Sequence, residues 1–294
     1  MKRRLFAFAT LILPAMVMAQ TAPSATDIYL VGIAADQDGV RVTSQPRNVT
    51  HRAAYDNQPF FLPDGQSFFY TCVQEDGQMD TCRYDLASQS THNVTKTPEG
   101  EYSPTPMPDG KSFSVIRVES DGTQRLWKFS MEGTEPTLVL KDVKPVGYQA
   151  WGDASTVAMF VLGEPPTLQV ADIKSNKVEQ LEENIGRSLH KIPGQRAVSF
   201  VHKTTDEEWW IKRLDLTSRK TSPIIRTLPG SEDYAWIPDG TIIMGKDNKL
   251  YTYTPGRDQD WQEVNELQGV TGITRIAVSP KGDALALVGI RGEN

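Results

Sequence analysis

The chain has 294 residues, with 38% hydrophobic and 23% charged side chains, 22 Gly and 19 Pro. These values sit near the average for a globular protein and exclude collagen-like, low-complexity and polytopic membrane classes. Acidic residues outnumber basic ones, 37 against 31, for a net charge of −6, which makes nucleic acid a poor partner.

At the start of the chain Lys2, Arg3 and Arg4 precede an apolar run over residues 5–18, followed by Ala19. This pattern predicts a cleaved secretory leader over residues 1–19, too short to span a bilayer. Its removal takes three basic residues away and moves the net charge from −6 to −9. No cysteine stands at the cleavage site to take a lipid, so the mature chain is expected free in the exported space, with no membrane span and as a monomer. A short segment, residues 20–26, then leads into strands predicted over 27–33 and 40–48. Between them Asp36-Gln37-Asp38-Gly39 starts like a calcium loop, but the later ligands are missing and a hairpin turn is the better reading.

The next strands, predicted over 67–74 and 80–86, flank Glu75-Asp76-Gly77-Gln78. With Gly77 at the centre of the turn, Cys72 and Cys82 stand directly opposite each other. Opposed Cα atoms lie about 4.5 to 5.5 Å apart, within bridging range, so an exported chain is expected to hold them as a disulfide.

A repeat organises everything beyond this point. Pro63-Asp64-Gly65 recurs as Pro108-Asp109-Gly110 and Pro238-Asp239-Gly240, with Pro280-Lys281-Gly282 a near copy. Trp151-Gly152-Asp153-Ala154 and Ile192-Pro193-Gly194 fill the gap at the same rhythm. A second marker keeps the register: Asn48-Val49-Thr50 returns 45 residues later as Asn93-Val94-Thr95, each fifteen residues before Pro-Asp-Gly. These triplets read as strand ends of the repeat rather than glycan acceptors. Proline suits the early turn position and glycine the one needing positive φ. Each unit therefore reads as a short strand, the turn, a stronger strand and two more strands, with no sustained helical period; residues 178–185 come closest and still fit a strand or loop.

Four antiparallel strands per unit predict an all-β fold, a six-bladed β-propeller over residues 27–294 as one domain. The last unit supplies only two strands, 272–279 and 283–290. The N-terminal strands are expected to complete that blade and close the ring.

Segments such as Phe61-Leu62-Pro63-Asp64-Gly65-Gln66-Ser67-Phe68 and Trp236-Ile237-Pro238-Asp239-Gly240-Thr241-Ile242-Ile243 resemble the TolB-like propeller repeat. The resemblance covers residues 27–292. It implies a periplasmic six-bladed propeller that binds other envelope proteins, a peptidoglycan-associated lipoprotein among them. The family's namesake carries an additional N-terminal α/β domain, which the few residues between leader and first strand leave no room for.

Chemical motifs are sparse. Residues 240–247 nearly spell a phosphate-binding loop, but Asp247 stands where Ser or Thr would hold magnesium and no helix follows. His51, His92, His190 and His202 form no HxH or HExxH pair. GxSxG is absent, and with it the nucleophile elbow of propeller-associated hydrolases. Trp209 and Trp210 follow three acidic residues; opposite-facing neighbours on a strand would bring one indole to the surface as a partner contact, but packing at the blade edge is the better reading.

What remains is the stretch from each fourth strand to the next first strand, expected as loops around the axial opening. These carry Tyr55, Asp56 and Asn57; Glu101 and Tyr102; Tyr148 and Gln149; Arg187 and Ser188; Asp233 and Tyr234. Aromatic rings among polar groups suit a recognition surface, although tyrosines here could equally pack between blades, as Trp127, Trp151 and Trp236 are expected to do. The sequence therefore points to a non-catalytic scaffold with an envelope protein or lipoprotein as partner and no cofactor. The alternative is a lactonase-type or sugar-processing enzyme, or a small-ligand sensor, using Asp56, Glu101 and Asp233 with calcium in the channel.

Overall fold

The computed structural model describes residues 24–290. The predicted leader, residues 1–19, lies outside the described residues, as do residues 291–294. There is no helix among the described residues. The strands form six antiparallel sheets, and the first strands of successive sheets pack side by side around one axis, the last against the first.

The N-terminal strands are β1 (Thr26–Asp36), β2 (Gly39–Val42) and β3 (Arg47–Asn48). Blade one follows as β4 (Asp56–Phe61), β5 (Ser67–Val73), β6 (Met79–Asp85) and β7 (Ser90–Asn93). Blade two holds β8 (Gly100–Pro106), β9 (Ser112–Val118), β10 (Gln124–Ser130) and β11 (Thr137–Leu138). Blade three holds β12 (Val146–Trp151), β13 (Thr156–Val161), β14 (Thr167–Asp172) and β15 (Lys177–Glu183). Blade four holds β16 (Ile185–Lys191), β17 (Ala197–Lys203), β18 (Trp209–Asp215) and β19 (Thr221–Arg226). Blade five is β20 (Tyr234–Trp236), β21 (Ile242–Lys246), β22 (Lys249–Tyr253) and β23 (Gln262–Glu266), and blade six begins with β24 (Thr271–Val278) and β25 (Ala284–Ile290).

Blade six is completed by the N-terminus, as the repeat arithmetic predicts. β1 lies between β25 and the pair β2 and β3, in register from Thr26 opposite Ile290 to Gly32 opposite Ala284. Its fourth strand is broken in two because Thr43 and Ser44 bend toward Gly32, whose amide donates to Ser44 Oγ. The Thr26 amide also donates to Ala54 O and its hydroxyl to Asp56 O, so the seam is stitched to blade one as well.

The two-residue period of the strands explains why the blades stack. On β1, Ile28 and Leu30 enter a core shared with Phe68, Tyr70 and Tyr84 of blade one, while Tyr29, Val31 and Ile33 enter one shared with Ile237, Ile243 and Leu250 of blade five. Adjacent side chains on a strand face opposite sides, so a blade apolar on both faces can be buried only by a neighbour on each. Every blade interface has such a core, and each fully buried Leu, Ile or Phe contributes about 1.5–3 kcal/mol.

The turns behave as the tripeptide demands. The amides of Gly65, Gly110, Gly240 and Gly282 each donate back three residues, to Leu62, Met107, Ile237 and Ser279. Gly65 (φ 67°) and Gly110 (φ 68°) sit in the left-handed region, which costs glycine nothing. The aspartate Oδ1 accepts from the backbone beyond the turn, Asp64 from Gln66 N at 2.9 Å and Asp109 from Lys111 N at 2.8 Å.

Cys72 and Cys82 form a disulfide with a Cα separation of 5.8 Å, but the register differs from the direct opposition expected. Cys72 pairs with Asp80 and Cys82 with Tyr70, so the bridge runs diagonally on one face of the hairpin. The cause is the turn: Gln74 N donates to Gln78 O and Gly77 takes φ 86°, a three-residue connection with its glycine left-handed. Its centre is Asp76 rather than Gly77.

A candidate binding site in the axial channel

The innermost strands reach further back than the sequence suggests. Asp56, Glu101, Tyr102, Tyr148, Arg187 and Tyr234 belong to β4, β8, β12, β16 and β20; of the expected loop residues only Tyr55 and Asp233 lie just before their strands. Polarity read there as loop character is the polarity of strands that line a channel. Nearly every innermost strand is bulged at this level, with register shifts between Asn57 and Phe60, Tyr102 and Thr105, Val146 and Tyr148, Ile185 and Leu189, and Thr271 and Arg275. A bulge inserts an unpaired residue and re-aims its side chain. Five positions before the turn proline or its counterpart stand Gln58, Ser103, Tyr148, Ser188, Asp233 and Arg275; Gln58, Ser103 and Ser188 fall inside the bulges, Tyr148 and Arg275 are the first paired residues after them, and Asp233 precedes its strand. Gln58 (φ 57°) and Ser103 (φ 53°) adopt the left-handed region there, and Gln58 Oε1 accepts from Ser103 N at 2.8 Å, linking blades one and two.

On the far side of the ring a charge network bridges four blades. Arg275 donates to Asp233 Oδ1 at 2.7 Å and to the Tyr148 hydroxyl at 3.0 Å, its guanidinium lying 5.3 Å from that ring's centre. Arg187 donates to Asp233 Oδ2 at 2.6 Å, and its backbone amide to Glu232 Oε2 at 2.9 Å. Lys203 Nζ stands 3.3 Å from Glu232 Oε1. Burial pushes the Asp233 carboxyl up from its ordinary value, and Arg275 and Arg187 pull it back. The Tyr55 hydroxyl lies in the field of Tyr148, Arg275, Tyr102 and Arg187, and burial raises it to about 12.

The eight residues singled out from sequence separate by environment. Tyr55, Tyr102, Tyr148 and Arg187 are half-buried around the mouth. Asp56, Glu101, Asp233 and Tyr234 are buried. Asp56 accepts from Arg52 Nε at 2.8 Å. Glu101 is held by Thr95, Thr97 and Arg117, and burial, opposed by those partners, lifts it to about 7. Tyr234 packs in the core between blades four and five and donates to Ser199 Oγ at 2.8 Å. Of the residues outside that set, Arg275 and Gln58 were missed; the repeat offset was the signal that could have found both. Trp209 and Trp210 are half-buried, with Lys203 Nζ 4.1 Å and the Arg226 guanidinium 5.1 Å from their rings. No group of three or more His, Cys, Asp or Glu able to hold a metal ion occurs among the described residues.

The opposite end of the channel is different. Trp151 Nε1 donates to Ser114 Oγ at 2.9 Å and Trp236 Nε1 to Ser199 Oγ at 2.8 Å. The same position of two repeats thus ties its indole to the preceding blade. Prolines of the turns surround them.

The solved structure of a protein assigned as TolB from Agrobacterium tumefaciens matches 92% of this chain and 100% of its own, with a TM-score of 0.71 and 16% identity. This chain folds as a TolB-like propeller. TolB from Acinetobacter baumannii matches 92% of the chain over 66% of its own length, at TM-score 0.58 and 14% identity. An oligogalacturonate lyase in complex with manganese covers 84% of the TolB-like propeller and 80% of itself, at TM-score 0.56 and 15% identity. At these identities the likeness is one of fold. No family model matches the sequence, and no curated protein sequence matches it.

Proposed function

We propose that this TolB-like propeller is a periplasmic, non-catalytic scaffold that binds an envelope protein or lipoprotein through the channel mouth bearing Tyr55, Tyr102, Tyr148 and Arg187. The observation that carries the reading is the convergence at that mouth. Three tyrosines from three different blades and two arginines from two others meet there, around Asp233, with Glu232 beside Arg187. Tyrosine and arginine are the side chains that most often anchor protein interfaces. The mouth is also braced by ion pairs across blades, so little ordering is required on binding. The enzymatic alternative needs accessible carboxylates, and burial of Asp56, Glu101 and Asp233 against arginines favours the scaffold instead.

The test uses the chain without its leader as bait in an envelope extract, beside a Tyr55→Ala, Tyr102→Ala double variant. A defined partner, lost by a variant that melts like the parent, is the expected result. A partner retained by the variant places the contact elsewhere, and empty capture by a folded bait overturns the scaffold. Tyr234 is unsuited to this purpose, because its removal would open the core.

A further inference from the structure

Inside the channel two cavities meet. Toward the turns a cavity of about 400 Å³ is walled by all six blades, chiefly by apolar groups such as Phe60, Trp151 and Trp236 and by turn prolines. Deeper, a polar neck of about 90 Å³ shares Phe60, Gln149 and His190 with that wall and ends at Arg187 and Arg275. The combined space is of the size that takes a small organic molecule. Proline and anchored indole make the apolar part stiff, so it is formed before any ligand arrives.

Three observations define what would fit. The charged side chains on the walls are Lys191, Arg187 and Arg275, and neither cavity is lined by Asp or Glu, in a chain whose acidic residues outnumber its basic ones by six. Asp233 sits behind the two guanidiniums and Glu232 stands 3.6 Å from Arg187, neither of them on the cavity walls, so the walls present the cationic side of these pairs. The neck also holds two buried oxygens with no hydrogen-bond partner, Gln149 Oε1 and Ser103 Oγ, on residues only 7% and 9% exposed. The Gln149 amide nitrogen is committed to Ser103 O at 2.9 Å, which leaves its oxygen as an acceptor without a donor. His190 packs edge-on against Tyr234 at 4.7 Å, and burial together with Arg275 pushes its pKa down to about 4, so near neutral pH it adds no charge.

We propose that the channel interior binds a small hydroxy or amino acid with an apolar side chain. Its carboxylate meets Arg275 and Arg187, its hydroxyl or amino group donates to Gln149 Oε1 with Ser103 Oγ alongside, and its apolar body lies between Trp151 and Trp236. The neck shares Tyr148, Arg187 and Arg275 with the mouth assigned to a protein partner, on whose channel side it lies; variants at Phe60 and Ser103 test the ligand site apart from Tyr55 and Tyr102.

Calorimetric titration of the leaderless chain tests it with three probes: phenyllactate, its primary amide, and 3-phenylpropionate, which lacks the hydroxyl. Phenyllactate is expected to bind at sub-millimolar concentration, the amide about tenfold more weakly, and phenylpropionate between them, as loss of a charged or a neutral hydrogen bond predicts. Phe60 is 42% exposed and accepts substitution without opening the core. Phe60→Glu should abolish acid binding, whereas Phe60→Arg should retain it; Ser103→Ala, which removes an oxygen that bonds nothing, should weaken it severalfold. Absence of binding by either acid at millimolar concentration overturns the proposal. So does equal affinity for acid and amide, or equal loss in Phe60→Glu and Phe60→Arg.

Discussion

The two mouths of the channel are built by the same repeat and hold their shape by opposite means. At the mouth bearing Tyr148 and Arg187, charge does the holding: Arg275, Asp233 and Arg187 bridge blades four, five and six, and Tyr148 extends the bridge to blade three. At the turn mouth, side chains pack as in a core, and the polar contribution reduces to indole donors fixed on Ser114 and Ser199. A cyclic repeat thus need not spread its chemistry evenly. The strand backbone is common to all blades, while the residue five positions before each turn is free to vary.

If this contrast is right, the largest effect should come from the charged mouth. Asp233→Ala leaves Arg187 and Arg275 facing each other with one carboxylate, Glu232, beside Arg187 only. It should lower stability by about 3–5 kcal/mol in denaturant unfolding, more than any single truncation at the turn mouth. Glu101 gives the next largest signal, and it depends on pH. Its carboxyl moves from 4.5 to about 7 on folding, so the folded state favours the protonated form. Stability from this group is fully present below pH 4.5 and is lost as pH rises toward 7, by at most about 3 kcal/mol. Glu101→Gln should therefore gain on the parent across that window and show no such trend below it; a difference that is flat with pH would mean Arg117 neutralises the carboxylate completely.

The turn mouth supplies the smaller effects. Ser199→Ala orphans both the Tyr234 hydroxyl and the Trp236 indole and should cost about 2 kcal/mol by thermal unfolding. Ser114→Ala, which orphans the Trp151 indole, should cost somewhat less. Tyr102→Phe should change stability by under about 0.5 kcal/mol, leaving any loss of partner capture attributable to the hydroxyl itself.

The fold was legible because its markers are local and chemical. Pro-Asp-Gly dictates a turn wherever it occurs, and two markers at one offset fix the blade length, so six blades and the seam follow from counting. The site was harder to read for a physical reason. A strand lining a channel carries polar residues, so Asp56 and Glu101 resemble loop residues, and nothing in their neighbourhood announces that Arg52 and Arg117 bury them. Arg275 was invisible for the converse reason: Gly272-Ile-Thr-Arg reads as the start of the apolar strand 272–279, and only alignment with Asp233 and Tyr148 by distance from the turn puts it on the axis. The disulfide shows the limit of symmetry arguments, since one left-handed glycine moved the hairpin's centre by a residue.

The seam between β1 and β25 has a mechanical meaning. Because the strands are antiparallel and Thr26 lies opposite Ile290, the two ends of the ring emerge side by side, next to Tyr55. A load applied through them would not shear the sheet; it would peel the seam like a zipper, one rung at a time from Thr26 and Ile290 toward Gly32 and Ala284. A tether on either end would hold the tyrosine-bearing mouth toward its anchor, and the same geometry makes that tether the place where force opens the molecule first.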